Sequence, residues 1–340
     1  MMFSRMAHLL NKFSRRLKIG YCFTPPDVLE LEHTNRCNLR CRSCARFFFA
    51  GQFEDMKPEI LEKVKREIVP LTRGVWLSGY GEPLMNRAFS GLLDYMLSLK
   101  KKVSFITNGT LLNDDMIERV FRGGCDVYLS IDGATNETMR YLRGIDLDPL
   151  VKKMERLKDL RENAPANGFH LFVILVLSRR NIEEIPDLIR ILARCRVDQL
   201  ILQDAIFVDR NDDIVREKLV HHKEITRGMF PVIRRAAEEC NLPLRIPSFP
   251  WLEESSGETS IPISPSSAEA PLPKCFRPWS EVYVDVYGNV KGCCSGGAAS
   301  LGNLQTESFR GIWNGRSFRN LRNTVNTPAM PEYCRTCEMR

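Results

Sequence analysis

Cys37, Cys41 and Cys44, spaced four and three residues apart, restrict this chain more than any other feature of its sequence. They come directly after an apolar run, Val28-Leu29-Glu30-Leu31-Glu32, that reads as a buried strand. Thiolates are soft ligands that suit zinc or an iron–sulfur cluster. A structural zinc site closes with four ligands, whereas three cysteines on one short loop leave a metal position open. On a four-iron cluster, that open iron is a place where a small molecule can chelate. A zinc knuckle completed by His33 or by a distant cysteine is the competing reading.

From Pro26 to Cys240 short apolar runs alternate with longer helical stretches, the pattern of repeated βα units. The runs predict strands at 28–33, 75–78, 103–107, 127–131, 171–177 and 199–203. Helices are predicted at 58–69, 87–99, 114–121, 148–162, 181–194 and 213–240, the last kinked or split by Gly228 and Pro231. Six such units make an α/β fold, a partial (β/α)6 TIM-like barrel over residues 26–242. Its site belongs at the carboxyl ends of the strands, where the cysteine loop falls.

Three segments flank or follow this barrel. Residues 1–25 contain an amphipathic helix in which Phe3, Met6, Leu10, Phe13 and Leu17 recur at helical spacing. Arg5, Lys12, Arg15, Arg16 and Lys18 make it basic, with no acid among residues 1–19. The preferred expectation is that it packs on the outside or bottom of the barrel; the alternative is contact with a membrane surface. Residues 243–274, rich in Pro and Ser, read as a linker. Residues 275–340 form a small α+β domain, with a hairpin over 281–286 and 290–293 and a helix over 309–325.

Composition excludes several classes. Apolar content of 44% and charged content of 27% are ordinary for a globular protein, and a net charge of +7 is modest for 340 residues. No nucleic-acid-reading module is present, so no nucleic-acid partner is expected. No run of 18 apolar residues occurs, which excludes a transmembrane helix. Twelve cysteines, seven of them in ligand-like spacings, point to metal thiolates in a reducing, cytoplasmic setting rather than to a disulfide framework. The other five, Cys22, Cys125, Cys195, Cys240 and Cys294, read mostly as small buried hydrophobes.

The CxxxCxxC loop resembles the signature of radical S-adenosylmethionine (SAM) enzymes, and further stretches match in the same order. They are Gly79-Tyr80-Gly81-Glu82-Pro83, Thr107-Asn108-Gly109-Thr110, and Ser130-Ile131-Asp132-Gly133 with Arg140-Tyr141-Leu142-Arg143-Gly144. The resemblance implies a SAM-binding [4Fe-4S] cluster on Cys37, Cys41 and Cys44, whose reduction cleaves SAM to a 5′-deoxyadenosyl radical that takes a hydrogen atom from the substrate. It further implies that Gly81, Glu82 and Pro83 address the SAM ammonium group, and that Ser130 and Asp132 address the ribose. Arg143 would pair with the SAM carboxylate, while Asn108 either shapes its turn or touches SAM. Ser43 stands where many family members carry an aromatic residue against adenine, with Phe47, Phe48 and Phe49 as nearby substitutes.

Cys275, Cys293, Cys334 and Cys337 form a second constellation, which on spacing alone suits zinc and iron–sulfur equally. It is similar to the SPASM/twitch extension of radical SAM enzymes, which implies an auxiliary [4Fe-4S] cluster. Only three residues follow Cys337, so a single auxiliary cluster is expected. Cys294 competes with Cys293 as a ligand; the Gly288-x4-Cys spacing favours Cys293.

On the substrate side, similarity to the twitch-bearing aminocyclitol dehydrogenase of butirosin biosynthesis leads to the main expectation. This is a radical SAM oxidoreductase that dehydrogenates a small polar or sugar-like metabolite, supplied with electrons by a flavodoxin or ferredoxin. Modification of a peptide or protein residue ranks second, because residues 1–25 are too few for a peptide-recognition domain. Sugar epimerisation, decarboxylation and a non-catalytic metal scaffold are further alternatives. Tyr80, Gln203 and Asp204 fall at predicted strand ends and are the candidates for substrate contact or proton transfer.

Overall fold

The computed structural model describes residues 9–14, 16–17, 19–44, 46, 51–164, 167–204, 213–246, 249, 274–295, 297–335 and 337. Six strands follow one another through the first two thirds of the chain: β1 (Val28–Leu31), β2 (Gly74–Leu77), β3 (Lys102–Thr107), β4 (Asp126–Ser130), β5 (His170–Val176) and β6 (Gln199–Gln203). Helices separate them, as the apolar periodicity requires of a partial βα barrel. By contacts the chain divides into one unit of residues 1–36, 53–103 and 265–340, and a second of 37–52 and 104–264.

In the first unit, β1 pairs in parallel with β2, in register Val28 to Gly74 and Leu31 to Leu77. On its other side β1 pairs in parallel with β8 (Glu281–Val284). Two antiparallel strands, β9 (Asn289–Lys291) and β10 (Gly302–Asn303), continue the ladder beyond β8. Leu29, Leu31, Val75, Leu77, Val282 and Val284 are fully buried, each stabilising the fold by roughly 1.5–3 kcal/mol. The helix Pro58–Glu67 lies with this ladder, since its Lys63 ammonium donates to Leu304 O and its Glu67 carboxylate accepts from Phe309 N.

In the second unit β3, β4, β5 and β6 run parallel, and β7 (Leu244–Arg245) adds a short parallel strand beside β6. Phe105, Val127, Leu129, Val173 and Leu175 fill its core. Cys125 and Cys195 are buried here, as Cys22 is in the first unit, matching their reading as small hydrophobes.

Four expectations need correction. The helix predicted over 213–240 splits before Lys223, and Lys223–Glu239 then runs unbroken through Gly228 and Pro231, anchored on both sides of the proline by buried Thr226 and Ile233. The helix predicted over 309–325 is two, Phe309–Trp313 and Arg316–Thr324, parted at Asn314-Gly315. The helix Asn136–Arg143 was not anticipated. Finally, the amphipathic stretch near the start has its polar Asn11 and Ser14 buried, while Leu9, Leu10, Phe13 and Leu17 stay exposed. Phe47–Phe49, Arg15, Lys18 and most of the linker lie outside the described residues.

One buried carboxyl joins the pieces of the first unit. Glu32 accepts hydrogen bonds from Tyr80 N at 2.7 Å and Val286 N at 3.4 Å. Burial pushes it up to about 7, against the pull of these two donors. The folded chain therefore binds more protons here than the unfolded chain between the ordinary carboxyl range and about pH 7, and stability falls as pH rises through that window. The loss approaches about 1.4 kcal/mol per pH unit. Glu32→Gln, neutral throughout, removes this contribution. Urea midpoints at about pH 5 and about pH 7.5 should differ less in the variant than in the wild type.

Candidate iron–sulfur and SAM site

The second unit collects Cys37, Cys41 and Cys44 beside a guanidinium. The helix Asn136–Arg143 starts on Thr135, whose hydroxyl accepts from Thr138 N at 3.2 Å. It ends on Gly144, which adopts φ +74°, a left-handed cap that favours glycine. Arg143 thus occupies the last helical position. Leu142 O accepts from Arg42 N at 2.8 Å, which ties the cysteine loop to this helix end, and the Arg42 guanidinium lies 4.3 Å from the Tyr141 ring centroid.

Arg143 is almost wholly buried and faces Asp132, with 3.3 Å between Nε and Oδ2. Its Nε and Nη1 have no hydrogen-bond partner. Burial opposes its charge, yet Asp132 and the thiols of Cys41, Cys44 and Cys37 outweigh that and hold its pKa raised. Burial also pushes the Cys41 thiol up to about 11, with Arg143 pulling it down. Guanidinium N–H groups without a hydrogen-bond partner beside three thiols are donors that an anionic ligand, thiolate or carboxylate, would satisfy.

Asn108 is engaged by the cysteine loop. Its Nδ2 donates to Asn38 Oδ1 at 3.0 Å and lies 3.9 Å from Cys37 Sγ, while its Oδ1 accepts from Thr110 N and Thr110 Oγ1. Asn38 Nδ2 closes the ring on Thr110 Oγ1 at 2.8 Å. The carboxamide therefore shapes two loops at once. Asp132 accepts from Val176 N through Oδ1 and faces Arg143 through Oδ2, so its carboxylate orients the guanidinium. Ser130 is half-buried at the end of β4. Gln203 and Asp204, at the end of β6, are exposed.

The Gly79–Pro83 turn belongs to the first unit. A Cβ on Gly81 would stand 2.3 Å from Thr34 O and 2.7 Å from Arg36 O, so only glycine lets the main chains approach this closely. Glu82 is buried; its N–H donates to Arg36 O at 2.8 Å and its Oε1 accepts from Leu84 N at 3.3 Å. Tyr80 is half-buried beside it. His33, offered as a zinc ligand, is a core residue. Its Nε2 bonds Pro83 O at 3.2 Å, its ring meets Phe89, and burial lowers its pKa to about 4.

The C-terminal cysteines also lie in the first unit. The Cys293 thiol is pushed up by burial and by its neighbours Cys275 and Cys337, against a main-chain donor at Ser295. Asn326 fixes Cys275 by bonding both its N–H and its C=O. Cys294 looks elsewhere: Arg277 Nη1 donates to its sulfur at 3.5 Å, and burial together with Glu30 pushes it up to about 12. Glu30 in turn accepts from Ser78 Oγ at 2.6 Å, and Arg277 pairs with Glu281 at 3.3 Å. This polar strand face was missed in the sequence; two glutamates interrupting the apolar run of β1 are its only signal. Among the described residues no three His, Cys, Asp or Glu side chains converge tightly enough to hold a single metal ion. Each thiolate of a four-iron cluster takes its own iron, so the cysteines of such a site need not meet on one ion.

Comparison with known proteins agrees with this chemistry. The family model described as the radical SAM superfamily matches residues 31–192, and the iron–sulfur cluster-binding SPASM model matches residues 275–338. The chain belongs to the radical SAM superfamily and carries a C-terminal SPASM domain. It is 24% identical to a tungsten-containing aldehyde ferredoxin oxidoreductase cofactor-modifying protein of Pyrococcus furiosus, over 92% of this chain and 87% of the relative. It is 23% identical to a PqqA peptide cyclase of Granulibacter bethesdensis, over 93% of this chain and 80% of the relative. The crystal structure of Streptococcus suis SuiB bound to S-adenosylmethionine superposes with a TM-score of 0.65 at 17% identity, covering 88% of this chain and 68% of that one. The fold is thus the partial radical SAM barrel, and its cofactors are a [4Fe-4S] cluster with SAM and auxiliary iron–sulfur binding in the SPASM domain.

Two outcomes follow from this geometry. Gly81→Ala should cost about 1–3 kcal/mol of stability, read by thermal melting, because the added methyl meets Thr34 O and Arg36 O. Cys293→Ala should lose about four irons per chain relative to wild type, and Cys294→Ala none, by iron and sulfide analysis after anaerobic reconstitution.

Proposed function

We propose that the protein is a radical SAM enzyme that modifies a residue of a peptide or protein. The observation that carries this reading is the match to the PqqA peptide cyclase, which runs over 93% of the chain. It displaces dehydrogenation of a small metabolite as the leading expectation. That expectation leaned on likeness to one aminocyclitol dehydrogenase and on the shortness of the segment before β1, and the comparisons leave it unconfirmed.

When bound, the cluster and SAM supply a 5′-deoxyadenosyl radical able to take hydrogen from an unactivated carbon. Cys37, Cys41 and Cys44 would hold that cluster, and Arg143, oriented by Asp132, would pair with the SAM carboxylate. The Gly81–Pro83 turn, with its tightly packed main chain, would present its carbonyls to the SAM ammonium. Cys275, Cys293 and Cys337 would hold auxiliary iron, with Cys334 as the fourth thiolate. Tyr80, Gln203 and Asp204 are proposed as substrate contacts. Electrons would come from an external one-electron carrier such as a flavodoxin or ferredoxin.

A second reading, modification of a small cofactor or metabolite, draws on the match to the cofactor-modifying protein of Pyrococcus furiosus. The two separate in one experiment. Cells grown anaerobically with wild type or with the Cys37→Ala/Cys41→Ala/Cys44→Ala variant are compared by mass spectrometry of their peptide and metabolite fractions. A mass change in a peptide, present only with the wild type, is the expected result. A cysteine-dependent change confined to the metabolite fraction would transfer the assignment to the second reading.

A further inference from the structure

The helical segment over residues 9–14 is turned inside out relative to an ordinary surface helix. A helix packed on a globular core buries its apolar stripe. Here Asn11 is 5% and Ser14 is 1% exposed, whereas Leu9 is 63%, Phe13 59% and Leu17 55% exposed. Leu10 and Ile19 are exposed as well, and so are the basic Lys12 and Arg16.

The buried polar side chains fix this orientation. The Ser14 hydroxyl lies 3.0 Å from Ile19 O and 2.6 Å from Tyr21 O and shares its one proton between them. Asn11 Oδ1 accepts from Phe23 N at 2.7 Å, and its Nδ2 donates to Thr24 Oγ1. The segment they grip is itself held firmly. Asn314 exchanges two hydrogen bonds of 2.9 Å with the Cys22 main chain, and Trp313 Nε1 donates to Thr24 O. Arg322 Nη1 donates to Gly20 O, where any Cβ would strike Arg319 O at 2.3 Å. Rotating the helix to bury its leucines would break the Asn11 and Ser14 bonds and leave these polar groups unmatched, so the exposed stripe is the anchored state.

The chemistry of the stripe selects its partner. Residues 1–26 hold Arg5, Lys12, Arg15, Arg16 and Lys18 and no acidic residue. Leu and Phe side chains flanked by Lys and Arg suit the boundary between acyl chains and anionic headgroups, where aliphatic stems lie in the apolar layer and charged tips reach phosphate. A second copy of this chain is a poorer fit, because pairing the stripe with itself brings two basic segments together. We infer that this face, built from Leu9, Leu10, Phe13 and Leu17 with Lys12 and Arg16, docks the enzyme on an anionic phospholipid bilayer.

Flotation of the reconstituted enzyme with vesicles tests this. The probes are vesicles of equal parts phosphatidylglycerol and phosphatidylcholine, and vesicles of phosphatidylcholine alone. Wild type should float with the anionic vesicles, be released as salt is raised, and ignore the neutral ones. Phe13→Ser/Leu17→Ser and Lys12→Ser/Arg16→Ser should each bind about tenfold or more weakly, with iron content and SAM cleavage unchanged because these side chains point to solvent. Absence of binding to anionic vesicles at low salt would overturn the inference, as would binding that neither variant weakens. Sedimentation equilibrium is the remaining arm. A wild-type dimer split by Phe13→Ser/Leu17→Ser, in a protein that ignores vesicles, would assign the stripe to a second copy instead.

Discussion

A guanidinium out of water must find negative charge, and Arg143 organises much of the second unit around that need. Asp132 provides one charge and is itself held by Val176 N–H, while Asn181 Nδ2 donates to the Asp132 main-chain oxygen at 2.9 Å. The three thiols provide the rest only when they are deprotonated, which is the form in which cysteine binds iron. The helix 136–143 is terminated by Gly144 just where Arg143 reaches this position, and the cysteine loop is bonded to the same helix end through Leu142 O. A cluster held by these three cysteines would therefore also satisfy the arginine.

The barrel strands were legible to within a residue or two because each is a compact apolar run broken by polar residues at its carboxyl end. The cysteines, the Gly81–Pro83 turn and the Thr107–Thr110 loop were legible because their chemistry is spelled in consecutive residues. Long-range pairing was not. Nothing in Glu281–Val284 announces that it lies parallel to β1, since strand partners are chosen by matching buried faces far apart in the chain. The break at Asn314-Gly315 was hidden by an apolar pattern that continues across it, with Phe309, Ile312, Phe318 and Leu321 all buried. Pro231 misled in the other direction, since one missing hydrogen bond does not end a helix that tertiary packing holds on both sides.

Just past β9, the neighbouring thiols of Cys293 and Cys294 face different surroundings. One thiol turns to Cys275 and Cys337, the other to Arg277 and Glu30. The spacing from Gly288 already pointed to Cys293, but the partners of Cys294 could not be read from spacing. Glu30, Ser78, Arg277 and Glu281 come from three separate stretches of chain and meet only because β1, β2 and β8 lie side by side. A thiol held in that polar group has a different environment from one facing two other cysteines, and its high pKa keeps it protonated.

The helix near the start shows how far amphipathicity alone can be trusted. A periodic apolar stripe establishes that a helix has two faces; it does not say which face meets the protein. The usual inference assumes that burial of the leucines is the largest energy available. Here the competing quantity is the set of hydrogen bonds made by Asn11 and Ser14 to main-chain groups between Ile19 and Phe23, groups that burial removes from water. Asn11 and Ser14 meet these main-chain groups in the structure, and the polar face holds the inward position. The leucines and phenylalanine then remain outside among lysine and arginine, a pattern that is costly in water and favourable at a charged apolar boundary.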